Sequence, residues 1–241
     1  PNMDVIKISQ VGLTEISLRK MLAFLVRNQG TSGIFSLPTE DMFERVSASR
    51  IKPLIASDQV FNTEKDRVNR SVRSKDMMQF GNSFLYVVAA IETAATSTPA
   101  DILMNDEVDL SNQKILALFG SRLQNSVHKI SQRFSTPTFP NYGIDMNWQS
   151  SDQHYYMIRC PSCGFAQTPE FEWKYLHIPG LPDLESVHDI QNTHRELIDM
   201  DSCYVKCEKC SKPLDLTQKG EWVSKYPSRS DSRGYRVSPF C

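Results

Sequence analysis

Lys7, Gly12 and Thr14 near the start of the chain, with the acidic pair Asp106-Glu107 far downstream, are residue types that together handle phosphate. A phosphate-binding loop lies between a strand and a helix and offers backbone N–H groups, a lysine and a hydroxyl, usually as glycine, four free residues, glycine, lysine and serine or threonine. Here Val5-Ile6-Lys7-Ile8-Ser9 reads as the strand and runs into Gln10-Val11-Gly12-Leu13-Thr14-Glu15. Gly12 and Thr14 fall in register. Leu13 occupies the lysine slot, and Lys7 stands where the first glycine would be. A long lysine stem at the beginning of the loop still brings its ammonium to the terminal phosphates. The competing reading is a plain strand-to-helix turn with Thr14 as the N-cap.

Asp106 and Glu107 favour the first reading. They close the apolar stretch Ile102-Leu103-Met104, so two adjacent carboxylates stand at a strand end. One, Asp106, can hold hydrated magnesium while the other, Glu107, orients or deprotonates the attacking water, which is how phosphoryl hydrolysis divides the work. Against this stands a solvated acidic turn, because Asp109 follows with a third charge.

Six cysteines occur, all in the last third of the chain. Cys160-Pro-Ser-Cys163 and Cys207-Glu-Lys-Cys210 are two knuckles of the kind that hold one tetrahedral zinc through four thiolates. Such a site leaves no coordination position open, so its role is structural. The stretch between the knuckles is longer than a minimal ribbon needs, so residues 176–201 read as an insertion. Disulfides are the rival, but two adjacent knuckles favour metal. Cys203 and Cys241 read as spectators, and His177, His188 and His194 as surface residues rather than ligands.

The elements that must position these groups follow from periodicity. Leu18, Met21, Leu22 and Leu25 repeat on one face of a helix from Thr14 to about Asn28. Ile34 to Leu37 reads as a strand closed by Pro38-Thr39-Glu40, and Asp41 to about Ser57 as a helix kinked or ended by Pro53. Phe84 to Ala90 is a buried strand, Asn112 to about Asn125 a helix, Ile130 to Thr136 a strand, and Gly234 to Ser238 a strand returning toward the main sheet. The run Lys65, Arg67, Arg70, Arg73 and Lys75 is either a solvated charged face or a contact to a DNA backbone. Strands alternating with helices predict a parallel sheet covered on both faces, with ligands at the carboxyl ends of its strands. Residues 10–14, Asp106, Glu107 and 135–138 would meet there.

At 241 residues the chain can bury one substantial core and a smaller second one. With 40% hydrophobic and 23% charged residues it has the composition of a globular protein, and a net charge of −1 excludes a uniformly basic nucleic-acid binder. No run reaches the length of a membrane span. Pro1 is not an initiator and no signal peptide precedes the first strand, so a piece of a longer protein is expected.

In order and spacing these motifs resemble the large terminase subunit of tailed bacteriophages, in its lambda-type branch. The resemblance rests on Lys7 to Glu15 as a lysine-shifted P-loop, Pro38-Thr39-Glu40, Asp106-Glu107-Val108-Asp109, Ser135-Thr136-Pro137-Thr138 and the two cysteine knuckles. It implies an α/β P-loop NTPase fold of the ASCE type, a mostly parallel sheet with helices on both faces plus a small zinc-ribbon-like insertion. The implied divisions are an ATPase core over 1–150, the zinc-ribbon-like subdomain over 151–225, and a return strand toward the core in 226–241.

By the same resemblance, the protein is the ATPase motor that packages double-stranded DNA into a procapsid, with ATP, Mg2+ and Zn2+ as cofactors. Lys7, Gln10, Val11, Gly12, Leu13, Thr14, Glu15 and Asp106 would bind nucleotide and magnesium, Glu107 would activate water, and Ser135 and Thr136 would couple hydrolysis to movement. Where relatives carry a loop arginine this chain has Gln10, leaving Arg122 or Arg133 as candidates for an arginine finger. The implied partners are double-stranded DNA, the small terminase subunit, the portal protein and copies of itself in a ring, with no membrane, in the host cytoplasm. The family's nuclease domain and its adenine-contacting upstream segment are missing from the chain, so this fragment is not expected to cut DNA. The rivals are a helicase-like DNA translocase with a zinc ribbon and a non-enzymatic zinc-ribbon nucleic-acid-binding module.

Overall fold

The computed structural model describes residues 2–57, 77–181 and 186–240, and the basic run at 65–75 lies outside them. The chain divides into two compact units, residues 1–153 with 226–235, and residues 154–225 with 236–241. The segment 226–241, read from the sequence as one returning piece, is thus shared between both.

The first unit is built on a mostly parallel sheet. Its strands are β1 (Asn2–Ile6), β2 (Ser32–Leu37), β3 (Met77–Phe80), β4 (Ser83–Ala89), β5 (Ile102–Asp106), β6 (Ile130–Ser135) and β12 (Ser232–Arg236). They lie in the order β12-β1-β6-β5-β2-β4-β3. β1, β6, β5, β2 and β4 run parallel, and β3 closes the edge antiparallel to β4. β5 is buried along its whole length, as a central parallel strand with both faces covered must be.

One face is covered by α1 (Leu13–Arg27), whose Leu18, Met21, Leu22 and Leu25 are wholly buried. Each contributes roughly 1.5–3 kcal/mol of burial free energy. Gly33 on β2 keeps α1 close, because a Cβ there would lie 3.2 Å from both the Met21 sulfur and Ile102. The opposite face carries α4 (Glu92–Ser97) and α5 (Gln113–Gly120), which bury Ala95 and Phe119 against Ile34 and Leu103.

The predicted helix over 41–57 is α2 (Glu40–Val46) and α3 (Lys52–Ser57) joined by a π-turn over Ser47–Ile51. Pro53 has no N–H to give, and the π-turn lets Lys52 N–H reach back to Ser47 just before it. Thr39 caps α2 by accepting from Met42 N–H at 3.3 Å.

The first strand differs from expectation. It covers Asn2–Ile6 rather than 5–9, so Lys7 stands just past its end. Asp4, a residue strands usually exclude, sits fully buried within it. It survives there because Arg133 on β6 grips both carboxylate oxygens, at 2.6 and 3.0 Å, and the Ser232 hydroxyl of β12 donates at 2.7 Å. Asp4, Arg133 and Asn105 are direct partners across β1, β6 and β5, and Asn105 is in turn paired with Ser36 of β2, to whose hydroxyl it donates. A polar row therefore crosses the sheet on the face opposite α1.

The second unit is smaller. β7 (His154–Arg159) pairs antiparallel with β8 (Ala166–Gln167) and β11 (Glu221–Ser224), and β9 (Leu176–His177) with β10 (Tyr204–Val205). The expected insertion 176–201 is held by short 3-10 turns. His177 stacks on Tyr204 at 4.4 Å, and His194 Nδ1 accepts from Gln191 N–H. No helix among the described residues is long and apolar enough to cross a membrane.

The Asp4–Arg133 pair gives a stability prediction. Asp4→Ala should cost about 3 kcal/mol in urea unfolding, at the low end for a broken buried pair because Arg133 is partly exposed. Adding Arg133→Met should recover part of that loss, and a purely additive double mutant would show that the pair contributes nothing beyond packing.

Candidate functional site

The carboxyl ends of β1, β5 and β6 lie side by side, with Ile6 opposite Ser135 and Asp106 opposite Phe134. The chain leaves β1 at Lys7, whose N–H still bonds Ser135 O at 3.0 Å. It then turns through Gln10 (φ 63°) and Gly12 (φ 76°) into α1. A left-handed Gly12 serves as N-cap, and no side chain caps this helix start. Thr14 is therefore not the N-cap. Its hydroxyl instead crosses to Asp106, donating to Oδ2 at 2.7 Å.

Lys7, only 6% exposed, folds its ammonium onto the acidic pair, 2.6 Å from Glu107 Oε1 and 3.2 Å from Asp106 Oδ1. Two carboxylates and one ammonium share this corner, so negative charge is in surplus. Burial by itself would lower the Lys7 pKa, but the Asp106 charge and the Glu107 hydrogen bond outweigh it and hold the ammonium above its ordinary value. Burial raises Asp106, and Glu107 adds to it, so despite Lys7 and Thr14 the Asp106 carboxyl stays above the usual range. Such a corner favours a further cation. The Asp106 carboxylate and Thr14 hydroxyl form a hard-oxygen donor set that fits magnesium.

Glu107 sits in the left-handed region at φ 51°, a conformation costly for a residue with a Cβ. Its N–H bonds Asp106 Oδ1 at 2.9 Å, so the strained turn presents the two carboxylates together.

Of the sequence-derived residues, Lys7, Thr14, Asp106 and Glu107 come into direct contact. Ser135 is buried beside them, whereas Thr136 is exposed. Gln10 and Gly12 are exposed in the loop, with Val11 and Leu13 half-buried. Glu15 faces along the helix to Arg19, with which it makes a 2.9 Å ion pair. Neither finger candidate is free for the site. Arg133 is committed to Asp4, and Arg122 donates to Thr96 O at 2.7 Å, beside Ala100 at the opposite ends of the strands.

Sequence reasoning missed Asp109. The rival reading of a solvated acidic turn does not hold for it, because this carboxylate is 7% exposed and accepts from the Thr138 N–H (2.8 Å), the Thr138 hydroxyl (3.0 Å) and the Ile144 N–H (2.8 Å). The signal available was Gly143, the small residue in front of the Ile144…Trp148 pair of α6 (Gly143–Ser150).

In the second unit the Cys160, Cys163, Cys207 and Cys210 sulfurs all lie within 4.8 Å of one another, with Cys160 and Cys210 3.6 Å apart and Cys163 and Cys207 3.7 Å apart. Disulfide sulfurs would be bonded at about 2.05 Å. Tetrahedral zinc with sulfur at about 2.3 Å requires separations of about 3.8 Å, which these match. The two knuckles share one backbone pattern. The first cysteine's N–H bonds the carbonyl five residues on, Phe165 or Lys212, and its own carbonyl receives the N–H four residues on, from left-handed Gly164 or Ser211.

Burial opposes the Cys207 thiolate, yet the Cys210 and Lys209 N–H groups bring its pKa down to about 6. Cys210, despite the Lys212 N–H, is pushed up to about 12 by burial and the neighbouring sulfurs. Four thiolates this close need a cation to coexist.

The model of the family "Phage terminase large subunit gpA, ATPase domain" matches residues 2–226 of this chain. Among solved structures, a mutant form of the large terminase ATPase domain of Thermus phage P74-26 is 14% identical, with 69% of this chain and 72% of that one covered at a TM-score of 0.51, a likeness of fold. The large terminase of bacteriophage HK97 is 15% identical, with 61% of this chain and 32% of that one covered at a TM-score of 0.49. The chain thus spans about a third of the HK97 enzyme's length. No curated protein matches the sequence.

The sulfur cluster is tested by metal analysis. Reduced, freshly purified protein should carry about one tetrahedral metal ion per chain, with sulfur at about 2.3 Å in X-ray absorption. Cys207→Ser should release it while Cys203→Ser should not, and metal-free native protein would rule the site out.

Proposed function

The chain belongs to the ATPase-domain family of phage terminase large subunits, and we propose that it is the ATPase motor that drives double-stranded DNA into the procapsid. It is an ATP hydrolase by family. The assignment of roles to its residues rests on one observation above the others: Lys7, Thr14, Asp106 and Glu107, from two strand ends and one helix start, meet within hydrogen-bond distance.

The loop 7–15 binds the phosphates. The uncapped first turn of α1 offers N–H groups to the anion, and Gly12 keeps the backbone approachable. Lys7 carries the charge that other loops place beside their hydroxyl residue, and nucleotide phosphates compete with Glu107 for its ammonium. Thr14 and Asp106 hold magnesium, which when bound offsets the charge of the phosphate oxygens. Glu107, released from Lys7, orients the attacking water and accepts its proton. Ser135, joined to Lys7 through the backbone, and Thr136 couple the nucleotide state to movement.

In the second unit the four cysteines hold a structural zinc. The whole enzyme acts in the host cytoplasm as a ring of copies, with the small terminase subunit and the portal as partners, and its nuclease lies outside this domain.

Two tests apply to the full-length enzyme. Glu107→Gln should keep ATP affinity within about threefold and lose turnover by about 10²–10⁴, the range for a removed general base. Asp106→Ala should in addition weaken magnesium-dependent binding. Steady-state and equilibrium binding measurements separate the two, and normal turnover in Glu107→Gln would place the base elsewhere.

The displaced lysine is tested independently. Lys7→Ala should abolish hydrolysis, and Leu13→Lys in that background should restore part of it by returning an ammonium to the phosphates. Near-wild-type ATPase rates in Lys7→Ala would remove this residue from the site.

A further inference from the structure

Asp109 lies two residues beyond Glu107 in the 3-10 turn Val108–Leu110, and the mechanism above does not use it. Its carboxylate nonetheless accepts three hydrogen bonds, as many as Asp106 itself. Oδ2 takes the Thr138 N–H and hydroxyl, and Oδ1 takes the Ile144 N–H. Its own N–H donates to the Ser135 hydroxyl at 3.2 Å, and that hydroxyl donates onward to Thr136 O. One residue therefore fastens the start of the 135–144 excursion, its middle and the first turn of α6.

A second observation comes from the other side of the contact. Gly143 adopts φ 52°, and a Cβ on it would lie 2.3 Å from Asp109 Oδ1. A side chain is absent exactly where the carboxylate must enter. Tyr142, the N-cap of α6, makes no side-chain cap bond of its own, so Asp109 caps this helix from outside.

The acid turn is held by a contact for which nucleotide phosphates would compete. Glu107 is held in a strained left-handed conformation while Lys7 binds its carboxylate at 2.6 Å. When phosphates draw Lys7 away, the constraint on Glu107 changes, and any rotation of that turn carries Asp109 with it. Segment 136–144, tied to Asp109 by three hydrogen bonds, must follow or break them.

We infer that Asp109 is the positioning residue that transmits the nucleotide state from the acid turn to segment 136–144 and the start of α6. This rests on the assignment of 7–15 and 106–107 as the nucleotide site. Asp109 touches no reacting atom. It acts through the loop it holds.

Amide hydrogen exchange on the full-length protein, with and without magnesium and a slowly hydrolysed ATP analogue, tests this. In the wild type, nucleotide should change exchange in the peptides covering both 7–15 and 136–144, the latter by about fivefold or more. In Asp109→Asn, which keeps size but loses charge and one acceptor oxygen, the 7–15 response should persist and the 136–144 response should vanish. Gly143→Ala, which crowds the same carboxylate, should do likewise. A residue that only braces the fold would raise exchange at 136–144 in both states and leave the nucleotide-dependent difference intact. That result overturns the inference, as does a wild type whose 7–15 peptide responds while 136–144 does not. A wild type silent at 7–15 overturns the nucleotide-site assignment itself. If both variants fail to fold, Thr138→Val, which removes one of the three bonds from the other side, takes their place: a reduced nucleotide-dependent response at 136–144 supports the inference and an unchanged one overturns it.

Discussion

Every geometric statement about this site depends on the register of β1, β6 and β5, and the Asp4–Arg133 ion pair is the interaction that marks it. Side chains alternate along a strand, so a slip of one residue would turn Lys7, Asp106 and Ser135 to the wrong faces or the wrong depth. Apolar strands slip at modest cost because valine and isoleucine pack against each other in many alignments. A buried carboxylate does not. Asp4 has a partner in one alignment only, and any other leaves an uncompensated charge in the sheet, at several kcal/mol. With Asn105 bonded to Ser36 in the same row, the polar rung aligns four strands one row before Asp106.

Above that rung, electrostatics sets the resting state. Two adjacent carboxylates at a strand end repel, and Lys7 offsets only one of them. The corner is thus stable enough to fold yet still attracts another positive charge, as the proposed magnesium role needs. The shifted lysine fits this arrangement. Rooted at the end of β1 rather than in the helix, it can lie on the acids without distorting the first turn of α1.

Much of the fold was legible in the sequence because its signals are local. The buried face of α1, the central strands and the paired cysteines were all read from spacing. The same holds for the meeting of Lys7, Thr14 and Asp106, which needs only a parallel sheet with ligands at its carboxyl ends. What was not legible depended on partners distant in sequence. β1 was placed too late because Asp4 resembles a strand breaker until Arg133 is beside it. Arg133 in turn looked available for catalysis because its partner could not be seen. Asp109 looked solvated among three acids in four residues. α6 has too short an apolar pattern, Ile144 and Trp148, to announce itself.

The placement of β1 also bears on the order in which the first unit is completed. This strand ends up between β6 and β12, and its Asp4 is bonded to residues 129 and 228 positions later in the chain. At the ribosome's ~5–20 residues per second, roughly 10–50 s pass between the emergence of Asp4 and that of Ser232. Until then β1 has one open edge, and its Asp4, already partnered by Arg133 of β6, lacks the Ser232 hydroxyl. α1 and the strands β2, β4 and β5 can assemble before it is enclosed, while the loop that follows β1 is fully anchored only when β12 arrives. Truncation before β12 should therefore loosen β1 and the loop that follows it more than it loosens the core.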